Sequence, residues 1–244
     1  MKSFAVFIFA MMVLAFVGCA KMEFEKDIIE TASGNLEITF IGHGTLMFTF
    51  DSKTVHVDPW SKLADYSELP KADIILVTHE HGDHFDPEAI ALLRRGDTVV
   101  LAPETCARQV KGSTVMHNGD VKSVGEITVE AVPAYNLIHT RDNGTPYHPK
   151  GVGNGYVITF SESRVYVAGD TENTPEMKAL ENIDVAFLPL NIPYTMTPEM
   201  LVDAARAFTP KILYPYHYAG SNPSRVVELL AETPEIDVRI RSME

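Results

Sequence analysis

The chain is 244 residues long, 45% hydrophobic and 22% charged, which fits one globular domain or at most two small ones and argues against overall disorder. Its 33 acidic and 20 basic side chains leave a formal net charge of −13, so no global positive field exists to displace counterions from a phosphate backbone, and nucleic acid is not an expected partner. Two cysteines, Cys19 and Cys106, are too few for a disulfide-stapled scaffold, and a chain of this length needs no staples.

The first element in chain order is a targeting segment. Lys2 precedes fourteen uninterrupted apolar residues, Phe4 to Val17, followed by Gly18-Cys19-Ala20, which gives a basic start, an apolar run and a small-residue cleavage region. The run is short for a membrane-spanning helix, which needs roughly 20 residues; an uncleaved N-terminal anchor helix is the alternative. Residues 1–18 are thus expected to be a signal peptide. The end of the segment, Phe16-Val17-Gly18-Cys19, resembles a bacterial lipoprotein signal, with Phe16 in place of the usual leucine. That resemblance implies acylation at Cys19 and attachment through this lipid to a membrane of the bacterial cell envelope, on its periplasmic or extracellular side. Residues 19–34 then read as a charged tether and residues 35–244 as the folded domain.

From residue 36 short β-rich runs alternate with short helices. Leu36 to Ile41, Leu46 to Phe50 and Lys53 to Val57 read as a meander, broken at Gly42-His43-Gly44 and at Asp51-Ser52. Ala72 to Val77 is a continuous apolar run, as in a strand covered on both faces. Asp86 and Pro87 then open a helix. Cys106 falls in the first turn of a further helix and reads as a small buried side chain. Strands are expected near 98–101, 114–116, 120–124, 127–132, 155–160, 164–168, 183–188, 212–216 and 236–240, with helices opening at Thr197-Pro198 and Asn222-Pro223. Meanders mixed with strand-helix units favour two mixed sheets with helices packed outside them. A weak internal echo points to a duplicated unit. Thr54 to Asp58 and Arg164 to Asp170 are both β-rich runs ending in aspartate, and each is followed by an Asp-apolar strand, at Asp73 and at Asp184.

The chemistry is concentrated in His79-Glu80-His81-Gly82-Asp83-His84, directly after the buried strand. Three imidazoles and a carboxylate on one tight loop put four metal-competent groups together, and His79 and His81 point the same way along an extended segment. This suits two adjacent cations. Imidazole with carboxylate oxygen fits Zn²⁺, Mn²⁺ or Fe and argues against Ca²⁺ or Mg²⁺. His56 and His117 have no motif around them and read as surface residues.

This pattern resembles the metallo-β-lactamase superfamily, whose signature is His-x-His-x-Asp-His. Gly42-His43, Asp58-Pro59, His148, Gly169-Asp170-Thr171 and Pro215-Tyr216-His217-Tyr218 extend the resemblance toward the C-terminus. They look like the branch of small metal-dependent hydrolases related to L-ascorbate-6-phosphate lactonase. The resemblance implies an α/β fold, a four-layer αβ/βα sandwich, with two divalent metal ions at one edge, zinc first among the candidates. It implies that His79, His81 and His148 bind the first metal and that Asp83, His84 and His217 bind the second, with Asp170 bridging. His139, in the same loop as His148, has the same chemistry and is the competing ligand. Asp58 is expected to orient a ligand imidazole, and His43 to sit beside the metals or face substrate.

Such a site suits hydrolysis of a small-molecule ester, lactone, amide or phosphodiester by a metal-bridging hydroxide. Asp83 or Asp170 would carry a proton to the leaving group, and Tyr194 would donate to the developing oxyanion. The alternatives are a redox diiron protein of the same fold, whose members usually carry Glu in place of His81, and a non-catalytic surface metal-binding protein.

Overall fold

The computed structural model describes residues 23–244. The expected signal peptide, Cys19 and the first residues of the expected tether lie outside the described residues. The described strands form two seven-stranded sheets. The first holds β1 (Glu25–Thr31), β2 (Gly34–Gly42), β3 (Thr45–Phe50), β4 (Lys53–Val57), β5 (Ile74–Leu76), then, after α1 (Pro87–Leu93), β6 (Val99–Ala102), and, after α2 (Glu104–Ala107), β7 (Thr114–Val115). The second holds β8 (Val121–Val124), β9 (Ile127–Ala134), β10 (Gly153–Phe160), β11 (Ser163–Val167), β12 (Val185–Pro189), β13 (Ile212–Tyr216) and β14 (Asp237–Val238). Its helices are α3 (Pro175–Lys178), α4 (Pro198–Phe208) and α5 (Ser224–Leu229). The architecture is the expected αβ/βα sandwich.

Period-two alternation builds the layers. Leu36, Ile38 and Phe40 of β2 and Leu46 and Phe48 of β3 enter the core between the sheets, whereas Ile41 and Met47 join the cluster that holds Ile90 and Leu93 of α1. Between the sheets, Phe48 meets Phe160 at 5.7 Å between ring centroids, and Phe187 stacks on Tyr214 at 5.0 Å. β5 feeds both clusters, Ile74 and Leu76 on one side and Ile75 on the other, which explains its unbroken apolar run. The helices begin where the sequence signals them. Asp86 accepts the N–H groups of Glu88 and Ala89, and Thr197 accepts that of Met200, with proline at the first helical position in both.

The internal echo corresponds to a repeated topology. In each sheet the first four strands are antiparallel and the remaining three add in parallel. The aspartates that open the first parallel strand play matching parts. Asp73 accepts the N–H of Thr54 and Asp184 accepts that of Arg164, both at 2.9 Å.

Two expectations are corrected. Residues 25–31 are not tether but strand β1, paired with β2 from Glu25↔Phe40 to Thr31↔Gly34. The strand is held at a distance in sequence that no local pattern reveals. Asp27 accepts from the Arg241 guanidinium at 2.7 and 2.8 Å and from the Tyr214 hydroxyl. His56, read as a surface residue, is fully buried on β4, where Nε2–H donates to the Pro70 carbonyl at 3.0 Å. Burial pushes its imidazole down to about 4, against the pull of that bond. The unfolded chain therefore binds this proton more tightly, so stability should fall as pH drops from about 6.5 toward 4. In urea unfolding at pH 7.5 and pH 5, His56→Gln should lose less stability than the wild type, by about 2 kcal/mol. Equal losses would assign the acid sensitivity to other groups.

Candidate metal centre

All of the implied ligands gather at one edge of the sandwich because each sits just outside a strand. His79 to His84 form the turn that follows β5, closed by N–H groups of His84 and Phe85 bonding to the His81 carbonyl at 3.0 and 2.8 Å. His148 precedes β10, Asp170 follows β11 and His217 follows β13. His43, Asp58 and His217 adopt left-handed φ values of 51°, 45° and 48°, unfavourable for side chains with a Cβ and found where a site dictates the backbone. Two glycines permit close approach. A Cβ on Gly44 would lie 2.6 Å from Cε1 of His84, and one on Gly169 2.9 Å from the Asn154 carbonyl.

The side chains form two triads that share Asp170. In the first, His79 Nε2 and His148 Nε2 lie 3.1 and 3.2 Å from His81 Nδ1. In the second, His84 Nε2 and His217 Nε2 lie 3.9 and 3.7 Å from Asp83 Oδ2. Asp170 turns one oxygen to each group. Oδ2 is 3.4 Å from His148 Nε2, while Oδ1 is 3.4 Å from His84 Nε2 and 3.6 Å from His217 Nε2. Ligands about 2.1 Å from a tetrahedral cation are about 3.4 Å apart, so these spacings fit a metal at each triad. His84 Nε2, His217 Nε2 and Asp170 Oδ1 are buried with no hydrogen-bond partner, a costly arrangement that a cation would resolve.

A second ring of contacts aims the imidazoles. Asp58, fully buried, accepts His84 Nδ1–H at 2.8 Å. Asp58 also accepts the Thr78 hydroxyl at 2.6 Å, and that hydroxyl in turn faces His79 Nδ1 at 3.0 Å. Both imidazoles thereby present Nε2 to the centre. His43 Nε2 bonds Asp83 Oδ2 at 3.0 Å and its ring lies 3.8 Å from that of His217, which makes it a further possible ligand of the second group.

The electrostatics are those of a dense mixed cluster. Burial alone would lower His84, but Asp170, Asp58 and Asp83 together raise it to about 9. Burial pushes His79 well below its ordinary value and His148 down to about 4. Burial also works to raise Asp83 and Asp170, but the surrounding imidazoles hold both carboxyls far below the usual range.

The structure separates the two competing histidines. His148 faces the first triad, whereas His139 Nδ1 bonds the buried carboxylate of Glu172 at 2.6 Å. Above the triads opens a cavity of about 410 Å³, with His81, Asp83 and Asp170 among its lining and Arg141, Tyr147 and Tyr194 also on its wall. Tyr194 is 45% exposed and meets Tyr147 edge-on at 5.0 Å. Sequence reasoning missed Thr78, Asn136, Glu172 and Asn191, whose Nδ2 lies 3.4 Å from His217 Nδ1. The polar side chain of Glu172 beside Gly169-Asp170-Thr171 was the only local hint.

Comparison with known proteins identifies the family. Residues 37–217 match the family model described as the β-lactamase superfamily domain. A protein from Pelotomaculum thermopropionicum named UPF0173 metal-dependent hydrolase is 31% identical over 75% of this chain and 84% of its own length. A crystal structure from Parabacteroides distasonis, named as a metal-dependent hydrolase, is 50% identical, with a TM-score of 0.87 over 91% of this chain and 100% of that one. Igni18, a metallo hydrolase from Ignicoccus hospitalis, shares the fold at 24% identity, with a TM-score of 0.70 over 86% of this chain and 96% of its own. The chain belongs to the β-lactamase superfamily and, within it, to the UPF0173 metal-dependent hydrolases.

Proposed function

We propose that the chain is a binuclear hydrolase in which His79, His81 and His148 hold one divalent cation, Asp83, His84 and His217 hold the second, and Asp170 touches both. The observation that carries this reading is the division of Asp170, with Oδ2 toward one triad and Oδ1 toward the other. The donor set favours zinc, with Mn²⁺ or Fe compatible. When bound, such cations would supply the chemistry of the site, lowering the pKa of water from about 15.7 to roughly 7 and polarising the bond under attack. The chain's own residues do the rest. Asp83, with 36% of its side chain exposed against 4% for Asp170, is the better placed to pass a proton between water and leaving group, and His43 holds it in position. Tyr194 faces the cavity where an oxyanion would develop. The substrate is a small ester, lactone, amide or phosphodiester. Metal analysis combined with a panel of those four classes tests this reading, and a protein that takes up fewer than two cations and turns over none of the panel would refute it.

We further propose that the protein is lipid-anchored through Cys19 on the bacterial cell envelope. The support is the Phe16-Val17-Gly18-Cys19 junction. Cys19→Ser should release the chain from membranes or leave the precursor uncut. An intact mass showing residues 1–18 still joined to an unlipidated wild-type chain would count against it.

A further inference from the structure

His148 is aimed by a neutral side chain, whereas His84 is aimed by a carboxylate. Asn136 is 6% exposed and uses its entire hydrogen-bonding capacity. Its Oδ1 accepts the backbone N–H of His148 at 2.7 Å and faces His148 Nδ1 at 2.9 Å. Its Nδ2 donates to Glu172 Oε1 at 3.1 Å and to the Tyr194 carbonyl at 2.8 Å. The orientation of this amide is forced at both ends. A backbone N–H can only donate, so the atom facing His148 is the oxygen, and two acceptors face the nitrogen. His148 must then carry its proton on Nδ1, which leaves the lone pair of Nε2 directed at His81 and Asp170.

Glu172 explains why Asn136 stays in place. Its carboxylate is fully buried and accepts the backbone N–H groups of Leu137, Ile138 and His139 at 2.7, 2.7 and 2.8 Å, as well as His139 Nδ1. A buried charge is tolerated when donors converge on it in this way. The loop that begins at Asn136 is thereby fastened to the residue two positions after Asp170.

We propose that Asn136 is a positioning residue which fixes His148 in the tautomer that presents Nε2 to the first triad and, through the same amide, sets the Tyr194 wall of the cavity. The proposal rests on the reading of His79, His81 and His148 as metal ligands. Removing an outer partner of a ligand imidazole typically costs 10–100-fold in metal affinity.

Titration of the metal-depleted full chain with Co²⁺, followed through its absorption bands, should show two equivalents in the wild type. In Asn136→Ala one of them should weaken by about 10–100-fold. Asn136→Asp keeps an acceptor for His148 Nδ1 and should recover part of that affinity, while it loses the donors to Tyr194 and to Glu172 Oε1, which then faces a second carboxylate. Hydrogen exchange of residues 191–195 should therefore rise in both variants. Variants that merely melt earlier, with unchanged Co²⁺ affinity and unchanged exchange, would overturn the proposal. Nitrogen-15 spectra of the metal-depleted wild type provide a test that needs no variant. A proton on His148 Nδ1 is expected, and a proton on Nε2 would defeat the assignment. A wild type that binds no Co²⁺ would instead reject the metal reading itself, and the tautomer would still judge the part played by Asn136.

Discussion

Asp170→Asn should remove one of two bound cations and reduce turnover by about 10³-fold, because the contribution of a catalytic metal is several kcal/mol and each 1.36 kcal/mol is a factor of ten. Asparagine keeps the shape but replaces one oxygen with an amide that donates, so only one triad can still be served. That oxygen lies 3.4 Å from either His148 Nε2 or His84 Nε2. The remaining amide nitrogen would face an imidazole that needs its lone pair for the metal. His217→Ala should produce the same paired loss by emptying the second site. Tyr194→Phe should keep both cations and lose only part of the rate, because its hydroxyl lies on the cavity wall outside the triads. In the wild type the rate should rise with pH through a group near 7, as expected for water activated by divalent cations. Full activity at unchanged metal content in Asp170→Asn would eliminate the shared-aspartate scheme.

The second large effect separates His148 from His139. His148→Ala should leave about one equivalent of metal by elemental analysis, since the first triad would retain only His79 and His81. His139→Ala should keep both equivalents and lower the melting temperature. It frees one of the donors on buried Glu172, leaving that carboxylate with the N–H groups of residues 137–139 and Asn136 Nδ2. The reverse pattern would give the ligand role to His139.

Much of this site was legible because its parts mark themselves in sequence. The cluster from His79 to His84 is dense, and Asp170 and His217 each close a β-rich run. The repeat was legible for the same reason, since Asp73 and Asp184 both cap the strand that begins the parallel half. What escaped depends on contacts without local periodicity. β1 is a strand because it pairs with β2 and Asp27 is fastened to Arg241, and the charged run Glu25-Lys26-Asp27 gives no hint of either partner. His56 is buried because the face of β4 it shares with Met47 and Ile75 is covered by the segment that carries Tyr66 and Pro70, so burial follows from the layer above the sheet rather than from the residue. The pairing of His139 with Glu172, which bears on the choice between His139 and His148, becomes visible only when the loop is folded back onto that carboxylate.

The repeated halves pack together along the core between the sheets and jointly complete the metal edge, and this has a kinetic consequence. One half brings His79, His81, Asp83 and His84, and the other brings His148, Asp170 and His217. Each half is rich in pairings between neighbours in sequence, the kind that form early, whereas the joint between them closes the longest loops and belongs to the late steps of folding. On the proposed binuclear reading, cations held at that edge would add removable cross-links to the packing between the two sheets. They would chiefly retard unfolding and do little to hasten folding, because contacts absent from the transition state act on the exit rate. Supply of metal would then set the lifetime of the folded chain as well as its chemistry, and a metal-starved molecule would be the one most readily opened by a protease.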